Sequence, residues 1–271
     1  MAMHQITLGE SFGLVLFCEE RLLEAANDSS GGSPGELVLF LHGLGCDHSS
    51  FAGAWAEGGF AGYSLLVPDL PGHGASGALE DLTYRLQDHA EIILRLLAQV
   101  PFERLHIIGH SMGGAIGLML AERGDLPLAS FISVEGNLLE HDCGILSRRA
   151  AETPEELFVS DKFVKLLEKA SRAEAADTRG WAKMAEHTDA YAFHRSAVSL
   201  VEWSDSGRLY EMFAALAVPK VYIYGERSAN AEVIARLDGV HKIEIGDAGH
   251  FLTTDQSELF HETVARIIAN G

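Results

Sequence analysis

Residues 105–122 read LHIIGHSMGGAIGLMLAE, and this stretch decides the fold. The run LHII reads as a buried strand and the segment from Met112 to Arg123 as a helix, with only Gly109-His110-Ser111 between them. A serine on so sharp a turn is held strained above the sheet, and glycines on both sides, here Gly109 and Gly113, remove the clashes. The N–H groups and positive dipole end of the following helix point at the same spot. A G-x-S-x-G match alone also describes a glycine-rich turn with a helix-capping serine. The strand before it and the helix after it favour Ser111 as a nucleophile.

Five more short apolar runs surround this unit: LVLFL (37–41), SLLVP (64–68), FISVE (131–135), KVYIYG (220–225) and KIEIG (242–246). Near-continuous apolar runs bounded by Gly, Pro or Asp are expected where helices cover both faces of a parallel sheet. Helical spacing is legible from Asp81 to Val100, with Leu82, Leu86, His89, Ile93 and Leu97 on one side, and again from Gln256 to Ile268. The alternation predicts an α/β fold with a doubly wound, mostly parallel sheet. The stretch 25–36, AANDSSGGSPGE, reads as an exposed flexible loop before the first parallel strand. One gap breaks the rhythm. Between Glu135 and Lys220 the patterns are helical, at 154–171, 180–187 and 206–216. Residues 137–206 are expected to form a helical insertion or lid, with 1–136 and 207–271 as the core and the last of those helices back in the main layer.

The composition narrows the function. In 271 residues, 47% are hydrophobic, enough for a core that buries roughly 75% of the unfolded surface at this size. Acidic residues outnumber basic ones by 39 to 20, for a net charge of −19. Such a surface repels phosphate backbones and anionic headgroups, so neither a nucleic acid nor a membrane is expected as partner. A small anionic substrate in a shielded pocket is not excluded. Cys18, Cys46 and Cys143 lie far apart, without the spacing of a disulfide framework or a cysteine zinc site. The start MAMHQITLGESF carries no Lys or Arg before its apolar run, and AIGLMLA (115–121) is too short to span a bilayer. The expectation is a soluble cytoplasmic protein, monomer or homodimer, acting on a small molecule.

A serine nucleophile needs a base. Gly249-His250-Phe251 follows the last strand run, on the sheet edge where ligands and chemistry gather, and His250 is the candidate. His42-Gly43-Leu44-Gly45 follows the first parallel strand, where glycines let backbone N–H groups approach a developing negative charge. The N–H groups of Leu44 and Met112 would form an oxyanion hole. In PDLPGHG (68–74), Asp69 reads as a brace for its loop. His106 and His110 are four apart but fall on a strand and a turn, so no metal site is expected, and nothing calls for a cofactor. Cys46, beside the oxyanion loop, has no histidine arrangement of its own and reads as inert.

HGLG, PDLPGHGAS, GHSMGG and GDAGH, in this order and at these intervals, resemble the alpha/beta-hydrolase family from about Leu37 to the C-terminus. The resemblance implies Ser111 as nucleophile, His250 as base, Leu44 and Met112 as oxyanion donors, and a lid after the sixth strand. Serine rather than aspartate at 111 argues against haloalkane dehalogenases and epoxide hydrolases as functional models. One position departs from the pattern. The family's usual acid follows the seventh strand in G-x-x-D, whereas this chain has Gly225-Glu226-Arg227-Ser228. Two carboxylates could replace it: Glu135, closing the strand run FISVE, or Glu226. Some members of the superfamily place the acid after the sixth strand, and a carboxylate ending an apolar strand must find a partner. Glu135 is favoured; its bland alternative is an ion pair with Arg148 or Arg149. The insertion carries Phe158, Phe163, Trp181, Met184, Tyr191, Phe193 and Trp203, which together suggest a pocket for an apolar acyl or aryl group. Arg148, Arg149 and His194-Arg195 could grip a carboxylate, although solvated basic residues are commoner. The expected activity is a cofactor-independent serine hydrolase acting on a carboxylic ester or thioester through an acyl-enzyme. Carbon–carbon bond hydrolysis, acyl transfer, and a catalytically weak binding or sensing protein are the alternatives.

Overall fold

The computed structural model describes residues 2–7, 15–22, 35–79 and 81–271. Most of the predicted loop at 25–36 therefore lies outside the described residues. Eight strands form one sheet: β1 (Ala2–Thr7), β2 (Val15–Arg21), β3 (Glu36–Leu41), β4 (Ser64–Pro68), β5 (Arg104–His110), β6 (Leu128–Val134), β7 (Lys220–Gly225) and β8 (His241–Ile245). Their spatial order is β1-β2-β4-β3-β5-β6-β7-β8. β2 pairs antiparallel with both β1 and β4, and every other pairing is parallel. The six strands expected from apolar runs are all present. β1 and β2 escaped because AMHQIT has no apolar run and VLFCEER ends in three charged residues, as suits a less deeply covered edge.

Alternation along the strands builds two cores. Leu37, Leu39, Leu41, Leu105 and Ile107 point to one face, against α1 (Leu86–Leu97), α2 (Met112–Glu122) and α8 (Arg208–Ala215). Val38, Phe40, Ile108, Ile132 and Val134 point to the other, against α11 (Ser257–Ala269) and the 3-10 segment His48–Trp55. This is the double winding the sequence pattern predicts. The remaining short helices are α9 (Ala231–Arg236) and α10 (Leu252–Asp255).

Helix α1 is shorter than expected. It starts at Leu86 rather than Asp81 because Tyr84 stands at φ 55°, off the helical path, with its hydroxyl tied to the backbone of Leu79. The Asp88 carboxylate then accepts the Arg85 N–H at 3.1 Å and caps the new start.

The gap between β6 and α8 is helical throughout, with α3 (Ile145–Glu152), α4 (Glu155–Leu157), α5 (Phe163–Ser171), α6 (Ala176–Ala185) and α7 (Ala190–Asp205). A π turn at Phe158–Lys162 joins α4 to α5. α7 is the longest helix among the described residues, yet its buried side contains Ala192, Ser196, Ala197 and Ser199, too small and polar to read as an apolar stripe. Those serines fasten it to the main layer. Ser196 donates to Tyr84 O, and Ser199 accepts the Leu86 N–H at 3.1 Å. Phe158, Phe163, Trp181 and Phe193 join the same hydrophobic cluster as the sheet face below them. Arg148 pairs with Asp205 and Arg195 with Glu155, so both are already satisfied. No described helix is long and apolar enough to cross a membrane.

Buried histidines stud this frame. Burial pushes His73 and His110 down to about 3, and His106 and His261 to about 4. The unfolded chain binds protons at these positions near pH 6.5, the folded one only well below. Their stability contribution is therefore complete above pH 6.5 and lost as pH falls toward 4. Each costs about 1.4 kcal/mol per pH unit in that window, against a typical total of roughly 5–15 kcal/mol. Urea midpoints at pH 8, 7.5 and 5 should hold between the first two and drop sharply at the third. Equal midpoints at pH 8 and 5 would contradict these burial costs.

Candidate active site

The site grows from the crossing of β5 into α2. Ser111 sits at φ 51°, ψ −120°, a conformation L-residues avoid, and its residue surface is 8% exposed. Two glycines make the crossing possible. A Cβ on Gly113 would lie 2.1 Å from Leu41 O, and one on Gly109 would lie 2.5 Å from Gly113 O. Both obstacles are backbone, which has no room to yield. Met112 is the first residue of α2, so its N–H has no acceptor within the helix.

The loop after β3 lies alongside. A Cβ on Gly43 would meet His110 Nδ1 at 3.1 Å and Ser111 Cβ at 3.2 Å, which sets the closeness of this backbone to the serine. The turn is closed by the Cys46 N–H donating to Gly43 O at 3.1 Å, while Trp181 Nε1 of α6 donates to Leu44 O at 3.0 Å. His42 is fully buried and its pKa is lowered by burial. Its Nδ1–H donates to Gly43 O at 2.9 Å and its Nε2 accepts the Leu70 N–H at 2.9 Å, joining the loops after β3 and β4. Asp69, completely buried, accepts from His48 Nδ1 at 2.9 Å and from the Ala75 N–H at 2.7 Å. Burial works against its charge, but these donors win and hold the carboxyl below its usual range. It braces its own loop, as the sequence suggests.

On the other side stands Glu135, at φ 49° just past β6. Its Oε2 lies 3.1 Å from His250 Nδ1, and its Oε1 accepts from Ser228 Oγ at 2.6 Å and from the Gly225 N–H at 2.8 Å. Burial penalises this carboxylate, yet His250, Ser228 and Gly225 together hold its pKa down. Glu226 is elsewhere: its Oε2 accepts the Asp247 N–H at 2.9 Å. Arg148 pairs with Asp205 instead, and the ion-pair partner of Glu135 among the described residues is His250. With Nδ1 engaged, Nε2 is the ring nitrogen of His250 left for proton transfer. His110 secures the loop that carries it, its Nε2–H donating to His250 O at 2.8 Å.

Three residues of this neighbourhood were not singled out for a role by sequence. Ser228, read only as a missing acid, is a donor to Glu135. Asn137, 2% exposed, accepts the Ser111 hydroxyl on Oδ1 at 3.2 Å and donates from Nδ2 to Asp142 O at 2.9 Å. Asp142 in turn accepts the N–H groups of Leu138 and Leu139, both at 3.0 Å, while burial pushes its carboxyl up to about 7. Only the run Glu135-Gly136-Asn137 hinted at a polar cluster closing an apolar strand.

A cavity of about 930 Å³ opens over Ser111 and His250. Gly43, Leu44, Asn137, Trp181 and Phe251 line it near the serine, and α5 lines its far side. Of the seven large apolar residues noted in the insertion, Trp181 reaches this cavity, while Phe158 lines a neighbouring one. Arg148, Arg149, His194 and Arg195 are not among its walls.

A sequence model of the alpha/beta hydrolase fold matches residues 36–222, and the chain belongs to that family. Among curated relatives it is 36% identical over 116 residues to the magnesium-chelatase 30 kDa subunit of Rhodobacter capsulatus, covering 43% of this chain and 39% of that one. It is 34% identical over 107 residues to a putative carbamate hydrolase of Variovorax paradoxus, covering 38% and 39%. The chain thus spans about two fifths of the length of these relatives. The fold matches the enol-lactonase from Burkholderia xenovorans at a TM-score of 0.75 and 19% identity, covering 95% of this chain and 97% of that one. It also matches a thermophilic esterase from Thermogutta terrifontis at 0.73 and 20%, covering 100% and 99%.

The tightness of the elbow is directly measurable. Gly113→Ala should cost about 3 kcal/mol or more, because its methyl overlaps a backbone carbonyl. In a chain of this size that lowers Tm by roughly 6–12 °C. A variant melting within 2 °C of the parent would show that Leu41 can give way.

Proposed function

We propose that this protein is a serine hydrolase that cleaves a carboxylic ester or thioester with an apolar acyl or aryl part. The observation that carries the reading is the 3.1 Å pairing of His250 Nδ1 with Glu135, beside a cavity that His250 and Ser111 both line. Ser111 leaves its hydrogen bond to Asn137 and attacks the carbonyl carbon while His250 Nε2 takes its proton. The N–H groups of Leu44 and Met112 face the oxygen as it becomes negative. Glu135 keeps the imidazole in the tautomer that accepts at Nε2 and offsets the charge of the imidazolium. His250 returns the proton to the leaving group, then activates the water that releases the acid. The insertion 137–206 serves as cap, with Trp181 steadying the oxyanion loop through Leu44 O. The esterase and lactonase of similar fold and the carbamate hydrolase relative agree with acyl chemistry. A binding protein without turnover is the weaker reading, since a carboxylate, Glu135, lies within hydrogen-bond distance of His250 Nδ1.

A fluorophosphonate probe should label the protein at Ser111, and Ser111→Ala should abolish both labelling and all but residual hydrolysis while the chain stays folded. Glu135→Gln should lower kcat by about 10⁴-fold, the loss seen when an amide replaces the acid of a comparable triad, with KM much less affected. Glu226→Gln should behave as a surface change. Loss of activity in Glu226→Gln with Glu135→Gln intact would reverse the assignment of the acid.

Chain length tests the pocket. Across p-nitrophenyl acetate, butyrate and hexanoate, kcat/KM should rise by roughly fourfold per buried methylene, about 0.8 kcal/mol each. A flat or falling series would argue against apolar binding under the insertion.

A further inference from the structure

Asn137 Oδ1 is a hydrogen-bond acceptor fixed beside the nucleophile. Its orientation is forced: Asp142 O is a carbonyl and can only accept, so Nδ2 must face it and Oδ1 must face Ser111. The side chain is almost wholly buried and stands in the cavity wall. An acceptor there cannot belong to the oxyanion hole, which needs donors.

Its partner disappears during the proposed reaction. Once Ser111 Oγ is bonded to the carbonyl carbon it carries no hydrogen, and Oδ1 is left buried without a donor, at the cost such a group incurs. The leaving atom is attached to the same carbon as Oγ, and Oδ1 lies 3.2 Å from Oγ in the free protein, so a substrate whose leaving atom turns toward Asn137 can offer it a donor. An ester leaves through an oxygen that bears no hydrogen. A secondary amide leaves through a nitrogen that does.

We propose that the site also cleaves secondary amide bonds, R–CO–NH–R′, with Asn137 Oδ1 accepting the scissile N–H. This rests on Ser111 being the nucleophile. The Oγ–C bond forms as the serine proton passes to His250 Nε2. The C–N bond then breaks, and the same proton moves to the nitrogen, which departs as the amine. Water next adds to the acyl carbon, giving one proton to His250. The Oγ–C bond breaks, the carboxylic acid leaves, and the proton returns to Oγ. Throughout the first half, the N–H···Oδ1 bond turns the nitrogen so that its lone pair faces His250, and it replaces the bond that Ser111 gave up.

The test is a matched pair of substrates, p-nitrophenyl hexanoate and hexanoyl p-nitroanilide, with N-methyl hexanoyl p-nitroanilide as the compound lacking the hydrogen. The parent protein should cleave the ester and the anilide and discriminate against the N-methyl compound. Asn137→Leu, similar in size but without an acceptor, should lose kcat/KM on the anilide about tenfold more than on the ester. It should also narrow the gap between the anilide and its N-methyl form. Retained ester turnover reports that the variant is folded, and Asn137→Ala should show the same split should the leucine variant fail to fold. Equal losses on ester and anilide, or no anilide turnover by the parent protein that cleaves the ester, would overturn the proposal. No turnover of either substrate by the parent would overturn the hydrolase reading itself and this inference with it.

Discussion

Everything at the site depends on how closely the start of α2 passes the end of β3. The backbone of Gly113 lies so near Leu41 O that a single methyl would strike it at 2.1 Å. That approach drives Ser111 to φ 51° and lifts its hydroxyl above the sheet. It also brings the loop at Gly43 against Ser111, at the start of the helix. The strain at one residue persists because strands on both sides and two hydrophobic layers hold the crossing from every direction. A surface loop could present the same side chains but could not keep them in place.

The charge balance is the second constraint. A carboxylate buried at the end of β6 is unfavourable unless donors replace water. Glu135 receives three, and they come from two different segments: Gly225 at the end of β7 with Ser228 just past it, and His250 after β8. With serine at 228, the position that would have competed as an acid becomes a donor. Two carboxylates so close together would have repelled, with one pKa driven up. The buried Glu135 and the serine at 228 are thus one arrangement seen from two ends.

Much of this is legible in the sequence, because much of it is local. Glycines flanking Ser111, the apolar runs of β3 to β8, and His250 between the last strand and α11 all leave short-range marks. Glu135 is legible only by contrast, as a charged end to an apolar strand where the expected aspartate is absent. The remainder depends on contacts between distant segments. Asn137 meets Ser111 across 26 positions, and His110 meets the His250 carbonyl across 140. No pattern within either segment announces such a meeting. Helix α7 hides for a different reason: its buried side uses alanine and serine, which fit a close approach to Tyr84 and Leu86 but do not register as hydrophobic periodicity.

The three donors to Glu135 lie 90, 93 and 115 positions downstream of it, on the side of the sheet that ends in β8. β8 is an edge strand, paired on one side only, and much of it is open to solvent. Edges are where native proteins open first and at least cost. A fluctuation that peels β8 away would carry off His250 and strip the carboxylate of a partner, at the cost of the Ile245 and Ala248 contacts with the second core, while the elbow and the first core stayed whole. The integrity of the His250–Glu135 pair and global stability are then governed by different parts of the molecule. The margin of the sheet sets how long His250 stays against Glu135, and its centre sets how long the protein remains folded.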